Sequence, residues 1–191
     1  ALNDTVKAVK VDGAEATVDN VKAGAYKLSR PFNIATKGEP TGVAKDFISF
    51  ILSKEGQAVV TDNKYIAVND AAESFVSDGS SGQIAVGGSS SVSPVMEKLI
   101  EAYKSVNPNA SIDLQTSDST SGMTGAMDGT FAIGMASREL KDEEAAQLTG
   151  TAIALDGIAV IVNPANTIDE LSMDQIKSIY VGDITDWGDL A

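Results

Sequence analysis

The chain has 191 residues, 27 acidic against 14 basic side chains, a net charge of −13, and neither histidine nor cysteine. That inventory excludes disulfides, thiolate metal sites, Cys nucleophiles and any Ser–His–Asp triad, and the acidity argues against nucleic acid, whose phosphates are met by clustered Lys and Arg. Apolar residues make up 43% of the chain, enough for one respectable core or two small ones, and no apolar run approaches the ~20 residues that cross a bilayer.

In chain order, residues 5–11 alternate and predict a strand. Thr17 to Lys22 reads as a short helix with Thr17 as its cap, and Tyr26 to Ile34 as a strand that Pro31 places near an edge or bend. Val43, Ala44, Phe47, Ile48 and Ile51 form a helical stripe; Gly56 is expected to break it before a shorter helical piece at 57–61, and 64–68 to form a brief strand. Residues 69–82, rich in small and polar types, read as a flexible connector.

Ile84 to Val86 then run as a strand into Gly87-Gly88-Ser89-Ser90-Ser91, and Val92, Val95, Met96, Leu99, Ile100 and Tyr103 mark the buried stripe of a helix. Free N–H groups and the positive helix end make such a turn a ready anion site. The same residues also suit an ordinary cap, with Ser91 or Ser93 capping and Pro94 in the first turn. The pattern recurs twice. Ile112 and Leu114 lead into Thr116-Ser117-Asp118-Ser119-Thr120-Ser121-Gly122 and a helix start; Phe131 to Ala136 lead into Ser137-Arg138 and a helix opened by Asp142-Glu143-Glu144, whose two glutamates read as a solvated face. Three hydroxyl-rich turns at the carboxyl ends of strands are placed where open α/β sheets bind ligands. Thr151 to Asn163 predicts two strands bent at Asp156-Gly157, and Ser172 to Tyr180 a helix capped by Ser172. The alternation predicts an α/β fold with a mainly parallel sheet flanked by helices.

Gly88-Ser89-Ser90-Ser91-Val92, the turn at 119–122, Gly134 to Leu140, Asp156 to Asn163 and Ile179 to Trp187 resemble, in order and spacing, the amino-terminal part of the PstS-type phosphate-binding proteins that serve ABC phosphate importers. Val6 to Gly13, Tyr26 to Phe32, Phe47 to Gln57 and Tyr65 to Val68 resemble the carboxyl-terminal part of the same family. The tail thus precedes the head. The resemblance implies a periplasmic-binding-protein-like (type II) lobe, circularly permuted. Residues 1–68 stand for the carboxyl-terminal part of lobe I, 69–82 for the connector, 83–155 for the amino-terminal part of lobe I, and 156–191 for the crossover and start of lobe II. The Gly-Ser-Gly-Thr turn of the second lobe has no counterpart here.

The resemblance also implies a phosphate site made by Ser90, Ser91 and Val92, by Ser119, Thr120 and Ser121, and by Ser137 and Arg138, with Ser91 giving a hydroxyl, Val92 an N–H and Thr120 a hydroxyl. Some members carry Asp where this chain has Arg138. An Arg cannot accept a hydrogen bond and stays charged; it either meets the anion or turns away to Glu139 or another carboxylate. Arg30 reads as a structural ion pair, Asp156 as a turn or hinge residue, and Tyr180 with Trp187 as a small packed cluster.

The expected function is phosphate binding as the extracytoplasmic solute-binding component of an ABC importer, with the importer's membrane subunits as partners and no catalysis, cofactor or metal. No signal or anchor is read in the chain, so its extracytoplasmic place follows from the resemblance alone. Two alternatives stay open: a module without a ligand that self-associates through the face left by the missing lobe, or a binder of another tetrahedral oxyanion.

Overall fold

The structure, a computed structural model, describes residues 3–190. In chain order its elements are β1 (Lys7–Ala8), β2 (Lys10–Val11), α1 (Val18–Lys22), β3 (Ser29–Thr36), α2 (Gly42–Leu52), α3 (Lys54–Asp62) and β4 (Gly82–Ser89). There follow α4 (Ser93–Val106), β5 (Ala110–Ser117), α5 (Ser119–Asp128), β6 (Ile133–Ala136) and α6 (Asp142–Ala145). The chain ends with β7 (Thr149–Gly157), β8 (Ile161–Val162), β9 (Glu170–Leu171), α7 (Met173–Val181) and a 3-10 turn, Trp187–Leu190.

The chain divides into two compact units, one made of the residues up to Ser29 together with those from Gly157, the other of Arg30–Asp156. The expected segment 1–68 is therefore cut at Ser29. Its first part groups with the end of the chain because β1 pairs antiparallel with β8 and β2 parallel with β9. In this smaller unit Lys7 Nζ donates to Asp169 Oδ1 at 2.9 Å and to the Asn166 carbonyl at 2.7 Å, and the Tyr26 hydroxyl donates to the Ile158 carbonyl at 2.8 Å. The strand expected over 5–11 is interrupted at Val9, whose N–H turns to Val160 O. Its helices are set by local chemistry. Thr17 Oγ1 accepts the Asn20 N–H, and Ser172 and Gln175 exchange side-chain-to-backbone bonds of 3.1 and 2.8 Å in a reciprocal cap. Tyr180, 84% exposed, and Trp187, 51% exposed, do not form the packed cluster expected of them. The apolar stripe of α7 goes inward at Ile176, and Tyr180 stands in the last turn beyond it.

The larger unit is an α/β layer around a five-stranded sheet of order β5-β4-β6-β3-β7. β4 runs parallel to both β5 and β6, while β6 meets β3 antiparallel. The sheet is thus mixed, because β3 comes from the segment before the connector and enters against its neighbour. Phe47, Phe50 and Ile51 of α2, Val60 of α3 and Val95, Met96, Leu99 and Tyr103 of α4 join Phe32, Ile34, Val86, Ile133 and Met135 in one buried cluster. A smaller one holds Ala35, Met123, Ala126, Ala136 and Leu148. Burying this much apolar surface is the main stabilising term of the unit. The break between α2 and α3 falls at Ser53, whose Oγ accepts the Gly56 N–H; Gly56 does not end a helix but lies inside α3, where the absence of a Cβ lets it approach the Phe50 carbonyl. The strand expected at 64–68 is a single bridge, Ile66 to Leu155.

The connector has no regular structure up to Gly82, yet it is strapped down rather than loose. Phe75 packs edge-on to Phe50, the Phe75 N–H donates to Glu55 Oε2 at 2.7 Å, and the buried Asp46 carboxylate accepts from Ser77 Oγ at 2.7 Å and Asp78 N–H at 2.9 Å. Asp46 also accepts from the Tyr103 hydroxyl at 2.7 Å and from Asn107 Nδ2 at 3.1 Å. The side chains that hold this segment lie on α2, α3 and α4, far from it in sequence, so its composition alone pointed to flexibility.

Candidate functional site

β5, β4 and β6 lie side by side and parallel, so their carboxyl ends point the same way. The register sets Ser89 opposite Ser117 and Gly88 opposite Met135. The three hydroxyl-rich turns therefore emerge next to one another at one edge of the larger unit. They are joined directly. Ser89 Oγ donates to Ser137 Oγ at 3.0 Å, the Ser137 N–H donates to Ser119 Oγ at 3.1 Å, and the Ser90 N–H donates to the Ser117 carbonyl at 2.9 Å. Ser93 Oγ meets Thr116 Oγ1 at 2.8 Å and also donates to the Ser89 carbonyl.

The close approach of α5 to the strands depends on missing side chains. A Cβ on Gly122 would stand 2.7 Å from Gly88 Cα, and one on Gly134 would stand 2.5 Å from the Gly122 carbonyl oxygen. Gly88 itself has φ +136°, and a Cβ there would strike the Met135 carbonyl. Backbone packed on backbone brings the first turn of α5 down to the ends of β4 and β6.

The expected donors are not equally available. Neither the hydroxyl nor the N–H of Ser91 has a hydrogen-bond partner among the described residues, and α4 has no side-chain cap, so Ser91 is not spent as one. Ser90 is an exposed residue. Val92 is different: its N–H donates to the Ser89 carbonyl at 3.0 Å and closes the turn. Ser119 Oγ accepts from Ser137 and keeps its own proton to give. Thr120 Oγ1 accepts from Arg138 Nη2 at 3.3 Å and likewise keeps its proton. Ser121 is turned back into its own helix cap, with Oγ donating to Asp118 Oδ2 at 2.6 Å.

Asp118 also accepts the Thr120 and Ser121 N–H groups at 2.8 and 3.0 Å. Hydrogen bonds from the Ser121 side chain, then its backbone, hold this carboxyl below its ordinary value. The first turn of α5 is thereby capped by a carboxylate of the chain itself.

Arg138 has turned to a carboxylate, but not to that of Glu139. Its Nη1 and Nη2 meet Glu144 Oε2 and Oε1 at 2.7 and 2.8 Å in a parallel fork. Nη1 donates in addition to the Glu139 carbonyl at 2.9 Å. Glu144 is 2% exposed, so the reading of 143–144 as one solvated face holds only for Glu143. Its third donor is the Lys141 N–H at 2.8 Å. Hydrogen bonding to Arg138 holds the Glu144 carboxyl down against the opposing cost of burial, and the same pair raises the Arg138 pKa.

Sequence reasoning passed over Ser89, Asp118, Glu144 and the glycine seam. The spacing of Lys141 and Glu144, which closes the first turn of α6, was the available signal for Glu144. Elsewhere in the unit, Arg30 Nε and Nη2 both donate to Asp156 Oδ2 at 2.9 Å, the structural pair expected of Arg30, and Asp156 is its partner as well as a residue of the bend.

A layered α/β unit with polar turns at its strand ends has the architecture in which ligands are taken up at those ends. The profile of the PBP superfamily domain matches residues 74–191. The phosphate-binding protein PstS 2 of Streptococcus agalactiae serotype V is 51% identical over 193 residues, which cover 100% of this chain and 66% of the relative. The crystal structure of a phosphate-binding protein of a phosphate ABC transporter from Streptococcus pneumoniae TIGR4 superposes with a TM-score of 0.95 at 46% identity, covering 100% of this chain and 74% of that one. A phosphate ABC transporter substrate-binding protein, by its name, from Clostridium perfringens with bound phosphate is 44% identical with a TM-score of 0.50, over 57% of this chain and 45% of that one. The chain belongs to the PBP superfamily and, within it, to the PstS-type proteins. It spans 66% of the length of the Streptococcus agalactiae relative.

Proposed function

We propose that this chain carries the phosphate-binding turns of the extracytoplasmic solute-binding component of an ABC phosphate importer, and that it binds rather than catalyses. The observation that carries the reading is the meeting of three hydroxyl turns at the ends of β5, β4 and β6, tied by the Ser89–Ser137 and Ser137–Ser119 bonds. Ser91, Ser119, Thr120 and Ser137 present neutral donors there, with Ser90 and Arg138 beside them, while Val92 and Ser121 shape the turns. Fixed donors replace the water of a desolvated anion, and this short-range term outweighs a diffuse net charge of −13. In the two-lobed plan of the family a second lobe then closes over the anion. Residues 156–191 are read as the crossover into it, and the importer's membrane subunits as the partners.

We further read the order of segments as permuted. The Streptococcus agalactiae relative and the Streptococcus pneumoniae structure align along the whole chain, whereas the Clostridium perfringens structure aligns over 57% of it. Such a split supports two arrangements of one family fold, one of them shared by this chain.

The test is a phosphate titration of the 15N-labelled chain. Saturable shifts at the amides of Ser91, Ser119, Thr120 and Arg138, with a Kd of about 1 mM or tighter, are expected. Phosphate that leaves those amides unmoved would overturn the reading.

A further inference from the structure

We infer that Glu144, a buried residue of the short helix α6, is a positioning residue of the anion site: its carboxylate shapes the loop that carries Ser137 and Arg138 and holds Arg138 across to Thr120. The inference rests on the anion site proposed above and adds to it a residue that itself offers the anion no donor.

The loop from Ser137 to Lys141 is wrapped around this one carboxylate. Glu144 Oε2 accepts from Arg138 Nη1 at 2.7 Å and from the Lys141 N–H at 2.8 Å, and Oε1 accepts from Arg138 Nη2 at 2.8 Å. The Glu144 N–H donates back to the Lys141 carbonyl at 2.9 Å. Arg138 is pinned at its backbone too, because its carbonyl accepts from Nδ2 of Asn33, a buried residue of β3, at 2.9 Å. With backbone and guanidinium both fixed, Arg138 Nη2 reaches Thr120 Oγ1 at 3.3 Å. The N–H of the preceding Ser137 reaches Ser119 Oγ at 3.1 Å. These two bonds tie the turn after β6 to the first turn of α5.

Stability alone does not account for the pair. Burying a carboxylate costs desolvation that its ion pair roughly repays, and apolar side chains of the same size often serve as well. What the carboxylate adds is geometry. Two oxygens meet the planar guanidinium in a fork that fixes its plane as well as its distance. That matters here because one guanidinium serves Glu144, the Glu139 carbonyl and Thr120 together. The sign of the effect separates position from charge. Glu144→Gln removes a negative charge beside an anion site, and by Coulomb's law alone that tightens anion binding. Loss of the fork, which frees Arg138 from Thr120, weakens it.

The test is a titration with inorganic phosphate of the 15N-labelled parent chain, Glu144→Gln, Thr120→Val and the double variant. Glu144→Gln is expected to weaken phosphate about fivefold or more, to shrink the response of the Thr120 amide, and to leave that of Ser91, on the turn after β4, in place. The double variant is expected to bind no more weakly than the weaker single variant, since both substitutions remove the same contact. Should Glu144→Gln not fold, Arg138→Lys, which keeps the charge and loses the fork, is expected to behave in the same way and is judged by the same criteria. Phosphate bound as tightly as in the parent or more tightly, or losses from the two substitutions that multiply, would overturn the positioning role while leaving the site standing. A parent chain whose amides phosphate leaves unmoved would overturn the site and the role with it.

Discussion

Gly122 lies against Gly88 so closely that a methyl group on the first would stand 2.7 Å from the Cα of the second. This contact seats the first turn of α5 on the ends of β4 and β6, and with it Ser119 and Thr120. The glycines set the geometry of the proposed anion site, although they offer it no side chain.

Gly122→Ala should therefore displace α5 and cost about 1–3 kcal/mol of stability. Urea unfolding measures the cost, and the phosphate titration should lose its response at Ser119 and Thr120. An alanine variant with unchanged midpoint and unchanged titration would show that α5 can shift freely.

Ser89 is 3% exposed, and its hydroxyl reaches the proposed site through Ser137. Ser89→Ala removes one donor to a hydroxyl that can turn elsewhere, so the stability cost should be near 1 kcal/mol. Anion affinity should fall with the circular dichroism spectrum unchanged, because Ser137 loses its fixed orientation. Affinity equal to that of the parent would remove Ser89 from the positioning role.

Asp46 anchors the connector to α2 and α4. Burial works against its ionisation, but hydrogen bonds from the Asp78 N–H, Tyr103, Ser77 and Asn107 outweigh that cost and hold its carboxyl below the ordinary value. Glu144 is held down by Arg138. A carboxyl depressed in the folded state contributes its full stabilisation above the unfolded value, about 4, and loses it as the pH falls through the folded one. Stability should thus be level from neutral pH to about pH 5 and decline below about pH 4. Asp46→Asn should be less stable by about 1–3 kcal/mol at neutral pH, with a shallower decline in acid. Thermal melts across pH check both.

Trp187 is the single tryptophan and is 51% exposed. It borders a small hollow lined by Ile179 and Ile184. Its fluorescence should resemble that of a partly hydrated indole and be quenched readily by acrylamide. A blue-shifted emission resistant to quencher would show that the apolar surface of α7 and the 3-10 turn is covered in solution.

Much of the fold is legible in the sequence because it is set over three or four residues. Thr17 and Ser172 cap helices through their own neighbours, the stripe from Val92 to Tyr103 faces inward at helical spacing, and three strand–turn–helix units place hydroxyls at strand ends. The family resemblance names the same turns. What the tertiary structure decided is which groups meet across long stretches of chain. It put β1 against β8 and so divided the expected 1–68 segment. It tied the connector to Asp46, and gave Arg138 to a buried Glu144 rather than to Glu139. It also closed the turn around Val92, taking the N–H expected for the ligand. Spacing along a chain sets periodicity and capping, which are local. The partner of a charge or a hydroxyl is chosen by whichever group the packed sheet brings within about 3 Å, and only the assembled core specifies that.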